Sequence, residues 1–198
     1  MRMSIFIAQG EYGYREELMT TELPIYTIGH SNRPIDEFVA LLTQHDIRLL
    51  VDIRKMPTSR HNPQFEGDAL KQTLRARAID YVHEPLLGGL RRAQTDSVND
   101  GWRNTSFRAF ADYMSTDEFR QGLDAVLREA AHRPTVIMCA EAVPWRCHRT
   151  LVADALKAAG RQVFHIVGSS KPSAHKYTPF LRRRDGVLTY PASALSAE

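Results

Sequence analysis

The chain has 198 residues, 43% of them hydrophobic and 25% charged, which suits one globular domain with a sizeable core. It has no run of about 18 apolar residues, so no membrane-spanning helix is expected, and Ile5-Phe-Ile7 behind a single Arg2 is too weak for a secretory signal. The net charge of +3 rests on 21 Arg and 5 Lys; arginine's planar fork suits phosphate or carboxylate, yet a codon preference explains the bias equally well, so charge alone identifies no nucleic-acid binder.

Residues 1–22 fit no clear element and read as a loose extension ahead of a single α/β domain over 23–198. Ile25–Ile28 is a short strand, followed by Gly29, His30 and Ser31. Pro34 suits a first helical turn, and Ile35, Phe38, Val39 and Leu42 recur at helical spacing to about Gln44. Leu49–Ile53 is a second strand, apolar except at Asp52, that runs past Arg54 into the proline-marked loop 56–65 with Ser59 and Arg60. Leu70, Leu74 and Ala78 place a helix over about 67–78, and Asp80–His83 a third strand leading to Glu84, Gly88 and Gly89.

Residues 90–104 are polar and aperiodic, a length typical of lids or disordered segments. Phe107, Phe110, Ala111 and Met114 mark a helix, and Ser115 to Glu118 resembles a capping box before another with Phe119, Leu123 and Val126 inward. Thr135–Cys139 is a buried strand; a short loop carries Glu141, and a helix is expected to open on Cys147, His148 and Arg149 and to stop at Gly160. Gln162–Ile166 is a fifth strand, and Val187–Tyr190 a short one in the tail. Nearly all-apolar strands alternating with helices predict a three-layer, Rossmann-like α/β fold, with a mostly parallel sheet of about five strands and helices on both faces.

In such a sheet ligands bind beyond the carboxyl ends of the strands, and four loops place polar residues there. His30 and Ser31 follow the first strand, Asp52, Arg54, Ser59 and Arg60 the second, Glu84 the third, and Cys139, Glu141, Arg146, Cys147, His148 and Arg149 the fourth. Each also has an ordinary reading. Asp52 can simply pair with Arg54, His30 can satisfy a carbonyl, and Gly88-Gly89 can be a plain turn. Cys139 is either an inert core thiol or, beside a helix N-terminus and arginines, a reactive thiolate. Both cysteines, eight positions apart, are expected to be reduced. Cys139, Glu141, Cys147 and His148 mix zinc or iron ligands, but their spacing matches no standard finger, and Cys147 and His148, adjacent on one helix, are awkward ligands for one ion. A glycine-rich nucleotide fingerprint, a P-loop and a phosphatase-type Cys-to-Arg loop are all absent from the sequence.

These residues carry a resemblance. Thr27-Ile-Gly-His-Ser31, Val51-Asp-Ile-Arg54 with Pro57 and Ser59, Leu87-Gly-Gly89, Trp102-Arg-Asn104, Ala111-Asp-Tyr-Met114, Met138-Cys-Ala-Glu141, Cys147-His-Arg149 and His165-Ile166 are similar to the family called domain of unknown function 488, over roughly residues 24–192. Ile53, where the family more often has Val, is a small departure. The resemblance implies a Rossmann-like α/β domain in a bacterial or archaeal cytoplasm and brings no activity with it.

The leading expectation is a small cytoplasmic enzyme acting on an anionic, phosphate-bearing or nucleotide-like substrate. Cys139 would be nucleophile or redox thiol, Glu141 and His148 proton carriers, and Asp52 the residue orienting His30 or an arginine. Ser31, Arg54, Ser59, Arg60, Glu84, Gly88, Gly89, Arg146 and Arg149 would line the substrate. Hydrolase, transferase and redox chemistry all stay open, and the residues name no cofactor and no oligomeric state. The alternatives are a nucleic-acid-binding module using Arg91, Arg92, Arg103 and Arg182–Arg184, and a metal-dependent enzyme on the Cys139, Glu141, Cys147, His148 cluster.

Overall fold

The computed structural model describes residues 22–196, so the expected N-terminal extension lies outside the described residues apart from Glu22. Five parallel strands, β1 (Ile25–Gly29), β2 (Leu49–Asp52), β3 (Asp80–His83), β4 (Thr135–Cys139) and β5 (Val163–Ile166), form one sheet in the order β3-β2-β4-β1-β5. A two-residue strand, β6 (Ser173–Ala174), adds an antiparallel edge to β5, making six strands where the sequence suggested about five.

Side chains alternate across a strand, and here the alternation separates two cores. Leu50, Val136 and Met138 face α1 (Ile35–Gln44) and α2 (Gly67–Arg75), with Phe38, Leu42, Leu70 and Leu74. Leu49, Val51, Ile137 and Cys139 face α3 (Thr105–Tyr113), α4 (Asp117–Ala130) and α5 (Arg149–Ala158), with Phe110, Phe119, Val126 and Leu151. The fold is thus a three-layer, Rossmann-like α/β architecture with helices on both faces. No helix among the described residues is long and apolar enough to cross a membrane.

The register positions the site. β1 and β4 are neighbours, with Gly29 opposite Cys139, yet the helix after β1 lies on one face and the helix after β4 on the other. Chain segments leaving adjacent strands in opposite directions leave a crevice at their carboxyl ends, where α/β sheets bind ligands.

Local expectations were met with shifts. The cap of α4 is Thr116, whose Oγ1 accepts the Phe119 amide, so the capping residue lies one position beyond the Ser115 start of the expected box. Gly160, at a φ of +92°, ends the segment after α5 as expected. The loop 90–104 is tied to the fold at its far end. Asn99 is buried and joins Asp112 to the Tyr190 backbone, while Trp102 packs on Phe107, Phe180 and Tyr190. The tail holds a hairpin of β7 (Arg182–Arg184) and β8 (Val187–Thr189), so the arginine run is a strand.

Candidate functional site

β4 delivers Cys139 to the carboxyl edge with its thiol on the α3–α5 side. The chain then crosses directly over Gly29. A Cβ at position 29 would sit 1.7 Å from the Glu141 carbonyl oxygen, so only glycine allows this crossing. Amides of His30 and Ser31 donate to the carbonyls of Cys139 and Ala140, tying the loops after β1 and β4 together. Arg149 secures the crossing from below: its Nη1 donates to the Glu141 carbonyl at 2.9 Å and its Nη2 to that of Ala142 at 3.3 Å. Arg149 is 1% exposed, its Nε has no partner, and no carboxylate pairs with it among the described residues. It holds the loop in position and is not among the residues that line the cavity described below.

A single turn, Pro144–Arg146, precedes Cys147, whose φ of −135° and ψ of 143° are extended. α5 begins only at Arg149, with His148 as its cap. The expectation that the helix opens on Cys147 and His148, which made them awkward ligands for one ion, is therefore corrected. The kink turns both side chains toward Cys139, and the Cys139 and Cys147 sulfurs lie 3.9 and 3.8 Å from His148 Nδ1. One ligand atom from each of the three lies within 4.8 Å of the others. The Ile53 carbonyl lies 3.3 Å from His148 Nε2; a carbonyl only accepts, so Nε2 carries a proton and Nδ1 is the ring nitrogen that faces the sulfurs. Gly89 packs against that ring, where a Cβ would come within 3.1 Å of Nδ1.

The sulfurs are inequivalent. A hydrogen bond from Cys147 holds the Cys139 thiol well below its ordinary pKa against the opposing effect of burial, with His148 and Arg149 adding to the depression. The same bond, together with burial, pushes Cys147 well up. Cys139 is the thiol that ionises first.

Across the sheet edge, Asp52 is fully buried and grips Arg54: Arg54 Nε lies 2.9 and 3.0 Å from its two carboxylate oxygens and Nη2 2.5 Å from Oδ2, with the Tyr81 hydroxyl donating to Oδ2 at 2.8 Å. Arg54 Nη1 donates to His30 Nε2 at 3.3 Å, and His30 Nδ1 donates to the Ser31 carbonyl at 2.7 Å. Burial lowers the His30 pKa, which suits the neutral ring these bonds require. Asp52 thus orients the arginine, and through it the histidine.

These elements enclose a cavity of about 440 Å³ that gathers Cys139, Cys147, His148, Glu141, Arg54, Gly89 and Arg146. Lys55, Thr58, Ser106, Phe107 and Phe110 complete it, and Met56 and Leu90, 61% and 80% exposed, form an apolar rim. An open depression of about 1110 Å³ adjoins it, lined by His30, Ser31, Ser59 and Arg60, and the two share Thr58, Ala140 and Glu141. Glu84 lies elsewhere: it caps the turn Pro85–Leu87 through the Leu86 amide and borders a recess with Val82 and Arg128. Gly88 backs onto the Lys55 backbone instead of the cavity. Arg91 donates to carbonyls of Pro85, Leu86 and Gly88 and stacks on Tyr113, so it is no free phosphate contact. Lys55, Met56 and Leu90 were not singled out in the sequence. Lys55 adjoins Arg54, but nothing local marks two exposed apolar residues as neighbours.

A second buried polar cluster lies beneath the α5 layer. Thr27 Oγ1 is 2.7 Å from His165 Nδ1, His165 Nε2 is 2.9 Å from His175 Nδ1, and His175 Nε2 is 2.9 Å from Asp154 Oδ1. Asp154 also accepts from the Thr178 amide and hydroxyl and from the Tyr190 hydroxyl.

Fold and site together define a Rossmann-like α/β protein with two cysteines and a histidine gathered at the sheet's carboxyl edge. The chain matches the family described as Domain of unknown function DUF488 over residues 34–156, and it belongs to that family. Searches of curated proteins and of solved structures return no match.

Proposed function

We propose that the protein is an enzyme acting on a small anionic molecule that also carries an apolar or aromatic part, with Cys139, Cys147 and His148 as its reactive centre. The observation that carries this reading is the cavity itself. Its lining sets three cations, Arg54, Lys55 and Arg146, against one carboxylate, Glu141, and places the thiol–imidazole cluster among them beneath an apolar rim. Few convergent polar groups inside a largely apolar concavity are what a small-molecule site requires. Lys55 and Arg146 are exposed and meet the anion; Arg54 is held in place by Asp52, whose carboxylate offsets its charge. Phe107, Phe110, Met56 and Leu90 take the apolar part. Glu141, exposed on the cavity wall, accepts or returns a proton.

Binding tests this. A panel of aromatic and aliphatic phosphates and carboxylates, with neutral analogues, is titrated while amide and methyl resonances are followed. Anions that shift signals of Cys139, Gly89 and Phe110, and bind about tenfold more weakly (~1.4 kcal/mol) to Lys55→Ala/Arg146→Ala, agree with the reading. Shifts from neutral analogues of equal size, or from no anion at all, defeat it.

A further inference from the structure

The proposed function leaves open what the two cysteines and the histidine form together. We infer that Cys139, Cys147 and His148 bind a divalent zinc ion whose fourth position opens into the cavity. This deepens the proposed function and rests on it for the role of the fourth ligand.

Geometry carries the inference. His148 Nδ1 can make one hydrogen bond, to one sulfur, yet both sulfurs lie almost equally far from it, at 3.8 and 3.9 Å. A hydrogen bond selects one partner; a central cation serves three. With Zn–S near ~2.3 Å and Zn–N near ~2.0–2.1 Å, the N···S edge of a tetrahedron is ~3.6 Å, so the two observed N···S edges need to close by only a few tenths of an ångström, and the sulfurs, which lie within 4.8 Å of each other, by at most ~1 Å. The histidine is already prepared. Its Nε2 proton donates to the Ile53 carbonyl, the kind of outer bond that aims the other ring nitrogen at a metal. Gly89 keeps side-chain bulk away from Nδ1.

Charge points the same way. Two thiolates balance a dication. Arg149, 1% exposed and without a carboxylate partner among the described residues, leaves one positive charge beneath the cluster. An anionic fourth ligand, hydroxide or the charged group of the substrate, offsets it. Three protein ligands and one open position are the pattern of a catalytic rather than a structural zinc site, and all three residues border the cavity. Glu141 is outside the cluster: it borders the cavity but does not join the three donors.

The test uses the full chain, produced without a histidine tag and purified without chelator or immobilised metal. Elemental analysis is expected to give about one zinc per chain. Cys139→Ser, Cys147→Ser and His148→Gln should each lower occupancy at least tenfold, with Glu141→Gln unchanged. Amide spectra of each variant separate loss of metal from loss of fold, and cobalt loaded into stripped wild-type protein should show thiolate-to-metal charge transfer. Wild-type protein that carries no metal and fails to take up equimolar zinc against a chelating dye overturns the inference, as does full occupancy in folded Cys139→Ser/Cys147→Ser. The two proposals fail separately. Anion binding that depends on Lys55 and Arg146 in metal-free, metal-refusing protein removes the zinc and keeps the cavity reading; zinc without any anion binding does the reverse.

Discussion

Two buried polar clusters flank α5, and they are built on opposite plans. In the Thr27–His165–His175–Asp154 chain every contact is 2.7–2.9 Å, and each ring nitrogen has a partner. It is closed, with Tyr190 and Thr178 completing the shell around Asp154. In the Cys139–Cys147–His148 cluster the contacts to the ring are 3.8–3.9 Å, one imidazole nitrogen faces two sulfurs, and a cavity adjoins. A tightly closed network holds a fold together, whereas soft donors spaced more widely beside a cavity leave room for a ligand. Histidine, carboxylate and hydroxyl in a line are therefore weaker evidence for chemistry here than three loosely spaced soft donors.

The contrast can be broken by experiment. The largest effect should come from Asp154→Ala, which strands His175, Thr178 and Tyr190; ~3–5 kcal/mol of unfolding free energy should be lost in urea titrations. A loss under ~1 kcal/mol would show that the closed cluster is not structural.

Acid should act next, through His165. Burial, with His175 and Arg149 nearby, lowers its pKa from 6.5 to about 4, opposed by Asp154. As pH falls through 6.5 the unfolded chain takes up this proton and the folded one does not until about 4, so stability is lost across that window and is fully present above it. The loss is ~2 kcal/mol after allowing for solvent screening, and His165→Gln should flatten this acid limb.

Gly29→Ala forces the Glu141 carbonyl away and should cost ~1–3 kcal/mol while disrupting the cavity. The wild-type cavity signals returning unshifted in its amide spectrum would contradict the crossing. Smallest in stability should be Cys139→Ala, ~1 kcal/mol when both proteins are compared in excess chelator, with turnover abolished once a substrate is in hand. A variant that keeps its activity would move the reactive centre elsewhere.

Much of this was legible in the residues. β4 was bounded correctly because five consecutive apolar or small residues between Pro134 and a polar loop admit little else, and all five are buried. The placement of His30, Arg54 and Cys139 at one edge followed from strand direction, since parallel strands bring their carboxyl ends together. Glu84 and Gly88 failed the same argument. They follow β3, the outermost strand, and the chain turns there into the Pro85–Leu87 turn before Gly89 comes back to the cavity.

What the sequence determined by itself is whatever depends on near neighbours: the alternation of strands and helices, the stop at Gly160, and Cys139 at a strand end. Hydrophobic period and turn chemistry act over a few residues, so they can be read in order along the chain. Only the tertiary structure decided that Cys147 and His148 turn back onto Cys139, because one kinked turn at Pro144–Arg146 changes the direction of both side chains. It also decided that Arg149 lies beneath its loop, and that Asp154 is buried under residues 175–190 although it sits on a helix whose apolar stripe leaves it out. Burial of a polar group depends on what the rest of the chain brings to cover it, and that covering comes from residues far away in sequence.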